Sequence, residues 1–274
     1  MSFMSIDKKK CTGTGICVAE CPRLIIKLKD KDPIAYPVEG AEELCIHCGH
    51  CVAVCPHGAV SLSFMKTDDC PVIDRKKLPD PVGIEHILRS RRSIRTYSDK
   101  DIDRDTLKDL IHVARYAPTG MNRQDAEWIA VTSKAKVREL AGMVIDWMRA
   151  MVEKNDPIAV SYNMQAMINA FDSGKDPICR GAAGLVVTHA SEKFSSGPAD
   201  CMIALSFLDI AAPSFGLGTC WAGFFMSGMK NWLPLREALS IPEGNIPVGA
   251  MMIGYPKYRY QRLPLRNEPK ISWV

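Results

Sequence analysis

CIHCGHCVAVCP (Cys45–Pro56) places four thiols in the spacing C-x2-C-x2-C-x3-C, closed by a proline. Cysteines this close along a chain cannot meet disulfide geometry among themselves, whereas a tight loop of thiolates can wrap a compact inorganic centre. The stretch has an echo upstream. Cys11, Cys17, Cys21 and Pro22 repeat the positions of Cys45, Cys51, Cys55 and Pro56, and CVAECP recurs as CVAVCP. A repeat of this kind marks a duplicated unit with two equivalent sites. One member is missing: Thr14 stands where the second copy has Cys48.

This spacing resembles that of bacterial-type ferredoxins, in which the first three cysteines hold one iron–sulfur cluster and the fourth holds its neighbour. The resemblance implies a 4Fe–4S centre on Cys21, Cys45, Cys48 and Cys51. Cys11, Cys17 and the crossing Cys55 offer only three thiolates to a second iron–sulfur cluster. A 3Fe–4S cluster, a 4Fe–4S cluster with a water or hydroxyl ligand, and an empty site all fit that half. Zinc is disfavoured because its sites seldom use successive x2 gaps closed by C-x3-C-P. His47, His50 and His57 read as solvated loop residues, since four thiolates already suffice. Gly13-Thr14-Gly15 lacks the third glycine and the strand–helix setting of a dinucleotide loop.

Of the 11 cysteines, seven fall before residue 56, and Cys70, Cys179, Cys201 and Cys220 are too scattered for a disulfide framework. That usage points to a reducing, cytoplasmic setting. A chain of 274 residues has room for two domains. Residues 1–10 are polar and do not read as a signal peptide, and the longest apolar stretch, Cys201 to Ala212, is interrupted by Asp209. No membrane partner is therefore expected. The net charge of +4 arises entirely beyond residue 83. Two short stretches there hold cations without acids: Arg89, Arg91, Arg92 and Arg95, then Lys257, Arg259, Arg262 and Arg266. Paired arginines suit phosphate, because the planar guanidinium donates in a fork. On charge alone, two solvated basic faces or a weak nucleic-acid patch fit as well; aromatic residues interleave only the second stretch (Tyr258, Tyr260), which argues against a single-strand binding groove.

The pattern divides the chain into a duplicated cysteine domain (1–65), a Pro- and charge-rich linker (66–83) and a larger domain (84–274). In the last, Ile84, Ile87 and Leu88 form a short amphipathic turn. Asp103 caps a helix bearing Leu107, Leu110, Ile111 and Ala114. Trp128–Thr132 reads as a buried strand, and Ser133 caps a long helix with Val137, Leu140, Val144, Ile145, Met148 and Val152 at helical spacing. Strands are expected at Gly184–Thr188 and Val248–Ile253, and Pro198 opens an apolar helix running to Ala212. The alternation predicts an α+β or α/β domain.

RRSIRTY (Arg91–Tyr97), APTGMNRQ (Ala117–Gln124), RGA (Arg180–Ala182), GLGTCWAGF (Gly216–Phe224) and GYPKYRYQRLPLR (Gly254–Arg266) together resemble the nitroreductase family of FMN enzymes, in particular its branch with an N-terminal ferredoxin domain. The resemblance implies an α+β fold and assigns residues position by position. Arg91, Ser93 and Arg95 match the R-x-S-x-[RK] element that holds the FMN phosphate and ribityl chain, with Arg92 assisting. Asn122 matches the amide that contacts the flavin, and Arg262 the C-terminal phosphate contact. Cys220, Trp221, Ala222 and Gly223 match the loop lying against the isoalloxazine. Asp125 departs from the proline usual in the branch. Cys220 itself has no partner cysteine nearby and reads as a small buried apolar side chain.

The expectation that follows is an FMN-dependent oxidoreductase in which iron–sulfur clusters feed electrons to FMN and onward to a small organic acceptor such as a nitroaromatic or quinone. Reduced ferredoxin, another low-potential donor or NAD(P)H would supply the electrons. The resemblance implies a homodimer. Two alternatives stand beside this reading: an NAD(P)H-dependent nitroreductase with secondary clusters, and an electron-transfer adaptor for a partner protein.

Overall fold

A computed structural model describes residues 3–30 and 33–274. Two compact units result: Met1–Pro79 with Met121–Arg123, and Asp80–Gly120 with Gln124–Val274.

The first unit is a pseudo-repeat of small elements. Strands β1 (Met4–Ile6), β2 (Ile26–Leu28), β3 (Ala35–Pro37) and β4 (Val60–Leu62) make two antiparallel pairs, β1 with β4 and β2 with β3. Single-turn helices α1 (Ile16–Ala19), α2 (Ala41–Leu44) and α3 (His50–Ala53) carry the cysteine loops. Gly15 and Gly49 cap α1 and α3 at φ of 72° and 70°. A side chain there would be strained in the left-handed region, so the two glycines hold both loops in the same turn. The core of this unit is small, and Cys17, Cys21 and Cys51 are themselves part of it.

The second unit opens with α4 (Pro81–Ser90), capped by Asp80 accepting from the Gly83 amide at 2.7 Å. This helix begins before the expected turn at Ile84, and Ile84, Ile87 and Leu88 are exposed on it. Then follow α5 (Arg104–Ala114), β5 (Glu127–Val131), α6 (Lys134–Glu153), α7 (Pro157–Ser161), α8 (Met164–Asp172), β6 (Gly184–Ser191), α9 (Gly197–Ala211), β7 (Gly218–Trp221), α10 (Gly223–Asn231), α11 (Leu233–Ala238) and β8 (Asn245–Gly254). The sheet order is β5-β6-β8-β7, with every neighbouring pair antiparallel. Strand periodicity sends alternate residues to opposite faces. Leu185 and Val187 meet Leu140, Val144 and Met148 of α6, whereas Val186 and Met251 meet Leu107 and Leu110 of α5 and Leu205 and Leu208 of α9.

Strand β5 differs from its expected burial. It lies at the sheet edge with Glu127 and Ala130 exposed, because only β6 pairs with it. The apolar helix α9 spans nearly the expected residues and continues into a short 3-10 turn, Ala212–Phe215. The helical run Gly197–Phe215 spans 19 residues at a mean hydropathy of 1.2, enough by length and composition alone to cross a membrane. One face of it packs in the core: Cys201, Ala204, Leu205 and Leu208 are buried toward β6 and β8, while Met202, Ile203 and Phe207 are exposed. Asp200 and Asp209 lie on the buried side, where Asp200 Oδ1 accepts from the Gly120 amide at 3.0 Å.

Candidate functional sites

In the first unit the thiols gather as two groups around two cavities. Cys11, Cys17 and Cys55 line one, and Cys21, Cys45, Cys48 and Cys51 line the other. Each group contains one cysteine from the opposite half, because α1 packs against α3. Burial pushes the Cys51 thiol up to about 11, with Cys48, Cys21 and Cys45 adding like-charge repulsion. Burial raises Cys17 as well, reinforced by Cys55 and Cys11. Burial thus favours the protonated thiol of Cys17 and Cys51, a preference that a bound cation would reverse. Backbone amides aim at sulfur too: Ala59 N–H donates to Cys55 Sγ at 3.2 Å and His47 N–H to Cys45 Sγ at 3.4 Å. Among the described residues, no group of three or more His, Cys, Asp or Glu closes around a single metal ion. Two thiol groups around open centres fit a polynuclear cluster, whose irons are spread apart, better than one zinc ion.

In the second unit a cavity of about 420 Å³ lies against the end of β7 and the start of α10. Cys220, Trp221, Ala222 and Gly223 line it together with Arg95. The first two belong to a strand and Gly223 opens a helix, so this segment is a strand-to-helix turn rather than the expected loop. Cys220 is buried in the apolar core, as its isolation in sequence suggests. A second cavity of about 270 Å³, lined by Ile94, Arg95, Thr96, Tyr258, Arg259 and Tyr260, shares Arg95 with the first. One cavity is mainly aromatic and aliphatic; the other is basic.

The remaining expected residues distribute as follows. Arg91 forms an ion pair with Asp209 at 3.3 Å, and Asp209 also accepts a hydrogen bond from the Thr219 hydroxyl. Arg92 donates to the Arg89 carbonyl at 2.8 Å, while its Nε is buried with no partner among the described residues. The Ser93 carbonyl accepts from Arg95 at 3.5 Å. Arg262 is exposed and lines neither cavity. Met121–Arg123 group with the first unit, where the Asn122 side-chain amide donates to the Ile46 carbonyl at 3.2 Å. Met121, Asn122 and Gln124 all have positive φ, so the chain turns sharply here. Both Asp125 carboxylate oxygens are buried without a hydrogen-bond partner among the described residues.

Several cavity residues were not assigned from sequence. Trp147, Tyr162 and Phe224 line the larger cavity, as does Arg180 at φ 55°. Arg180 sits within the RGA motif, whose presence marked the segment without marking its role. Asp209 was visible only as a charge inside an apolar run, and a buried carboxylate of that kind requires a cation.

Comparison with known proteins accounts for both units. Residues 3–56 match the 4Fe-4S dicluster domain and residues 88–255 match the Nitroreductase family. A putative NADH dehydrogenase/NAD(P)H nitroreductase of Archaeoglobus fulgidus is 28% identical over 62% of this chain and 84% of its own length. An FMN reductase [NAD(P)H] of Bacillus subtilis is 28% identical over 65% of this chain and 67% of its own. Among solved structures, a nitroreductase with bound FMN from Bacteroides fragilis superposes with a TM-score of 0.59 at 22% identity, covering 72% of this chain and 100% of that one. The strand order, the arginine-bearing segment after α4 and the family match agree: this chain belongs to the nitroreductase family, and a 4Fe-4S dicluster domain precedes its nitroreductase domain.

Proposed function

We propose that this protein is an iron–sulfur flavoprotein that draws electrons through clusters in residues 1–65 to FMN in residues 84–274, and delivers them to a small organic acceptor such as a nitroaromatic or quinone. Residues 66–83 serve as the linker. The observation that carries the reading is the pairing in one chain of two thiol-lined cavities with a cavity pair sharing Arg95. FMN supplies the exchange between one-electron and two-electron chemistry, which no side chain offers.

The chain's own residues bind and orient. The apolar cavity beside Cys220 to Gly223 takes a planar ring, with Trp147, Tyr162 and Phe224 excluding water. Arg95 stands at its boundary with the basic cavity, where Arg259 adds a second cation for phosphate. The Asp209 ion pair holds Arg91, and the unpartnered Arg92 Nε remains a free donor for an anion. Ser93 extends the same segment; Asn122 and Arg262 line neither cavity, and their flavin contacts rest on the family resemblance alone.

Cys21, Cys45, Cys48 and Cys51 hold a 4Fe–4S centre, and Cys11, Cys17 and Cys55 hold the second cluster, as 4Fe–4S or 3Fe–4S. The exposed Met202, Ile203 and Phe207 of α9 suit the interface of a homodimer. The setting is cytoplasmic and the donor is reduced ferredoxin or another low-potential carrier. Relatives named NAD(P)H nitroreductase and FMN reductase favour a second reading, in which NAD(P)H is the donor and the clusters are secondary. Metal, sulfide and flavin content of anaerobically purified protein tests the proposal. Stoichiometric FMN with iron and sulfide for two clusters is expected; flavin without iron would leave only the second reading.

A further inference from the structure

We propose that His57 supplies an iron ligand at the centre formed by Cys11, Cys17 and Cys55, in place of the thiolate that Thr14 lacks. The inference rests on the iron–sulfur reading of that centre. A cubane has one terminal ligand position on each iron, and three thiolates leave one iron without. The wall of this cavity contains Thr14 and, beside Cys55, His57.

The duplication shows why the histidine is informative. Cys55-Pro56-His57 repeats Cys21-Pro22-Arg23, and each third residue lines the cavity that its own half helps to build. The backbone also follows the same course, with Leu24 at φ 55° and Gly58 at φ 58° just after. Equivalent positions thus face two different coordination problems. The four-thiolate cavity has Arg23, whose guanidinium stays protonated and has no lone pair to give, and whose Nε donates to the Leu44 carbonyl at 3.1 Å. The three-thiolate cavity has an imidazole, a familiar ligand of iron. His50, which lines the other cavity, faces a centre that needs nothing further, and its counterpart in the first half is Ile16.

Other donors in the wall are weaker. Lys10 is a hydrogen-bond donor rather than a lone-pair donor, and Thr12 and Thr14 offer neutral hydroxyls. His57 is exposed, so its ring has room to turn toward the centre. Coordination requires only that a ring nitrogen give its lone pair to iron as solvent leaves, with no oxidation or reduction. The resulting centre carries one negative charge fewer than its all-thiolate neighbour, which raises its potential and gives the two centres different roles.

The test uses the intact chain, purified without oxygen and labelled with ¹⁵N-histidine. Pulsed electron paramagnetic resonance of the reduced protein should show a strongly coupled histidine nitrogen on one of two centres. His57→Ala should abolish that coupling, release one iron per chain on mild oxidation and give a 3Fe–4S signal. Thr14→Cys combined with His57→Ala should restore the iron without the nitrogen coupling. Iron bound at this centre with no histidine coupling, or a His57→Ala protein with unchanged coupling and iron, would overturn the proposal alone. A centre that takes up no iron even in Thr14→Cys would overturn the two-cluster reading, and the proposal with it.

Discussion

The two units of this chain reach a stable fold by different means. The second has the 20-residue α6, a four-stranded sheet and apolar cores on both of its faces. The first has three-residue strands, four-residue helices and a core in which thiols stand among the aliphatic side chains. Small domains bury too little apolar surface to offset chain entropy, and metal ligation makes up the difference. The contrast teaches that identical cysteines mean different things in the two places. Cys179 and Cys201 are fully buried apolar fillers, with burial pushing Cys201 up to about 11, whereas the seven N-terminal cysteines are free thiols gathered around two cavities.

The largest expected effect comes from iron removal. Chelation of the intact protein should unfold the first unit and leave the second folded, read as loss of protease resistance confined to residues before Asp80. Equal resistance of both units after complete iron loss would break the contrast. Next in size is the ion pair inside the second unit. Asp209→Ala leaves the partly exposed Arg91 without its carboxylate, and the cost of breaking a fully buried pair, about 3–5 kcal/mol, is the upper bound here. Denaturant unfolding should show a loss of up to that size in the second unit with iron content unchanged.

A comparable effect is expected at the basic cavity. Charge-assisted hydrogen bonds contribute about 1.5–3 kcal/mol each. Replacing Ser93 and Arg95 together by alanine should therefore weaken FMN by at least ~100-fold, measured by flavin fluorescence on reconstitution. Undiminished affinity would separate these cavities from the flavin. The smallest concerns His189, whose pKa is lowered by burial, partly offset by Glu127. A histidine buried neutral binds fewer protons folded than unfolded. Its stabilisation is present above the ordinary histidine value of about 6.5 and is lost as pH falls through the lowered folded value. Melting temperatures should decline on acidification less steeply for His189→Gln than for the parent.

Much of this was legible in the residues. Asp103 and Ser133 do cap α5 and α6, accepting from Thr106 and Lys136 amides at 3.1 and 3.3 Å. Both caps act on their own helix, so local sequence suffices to find them. The cysteine repeat likewise identified a dicluster domain, because ligand spacing is a local property. What stayed hidden depends on contacts distant along the chain. The edge position of β5 follows from the sheet order, which no strand reveals by itself. The Arg91–Asp209 pair joins residues on separate elements, and neither neighbourhood names the other. Likewise, α7, α8, α10 and α11 are short or lack clean periodicity, and packing on α6, for α10 also on β8, defines their faces.

The central claim is that the clusters deliver electrons to the flavin within this chain. Its most direct test is the anaerobic rate of flavin bleaching by reduced ferredoxin, in the parent protein and in Cys45→Ser/Cys48→Ser with FMN content matched. Fast bleaching in the parent and its loss in the variant is the expected result. Equal rates in both proteins would contradict the account.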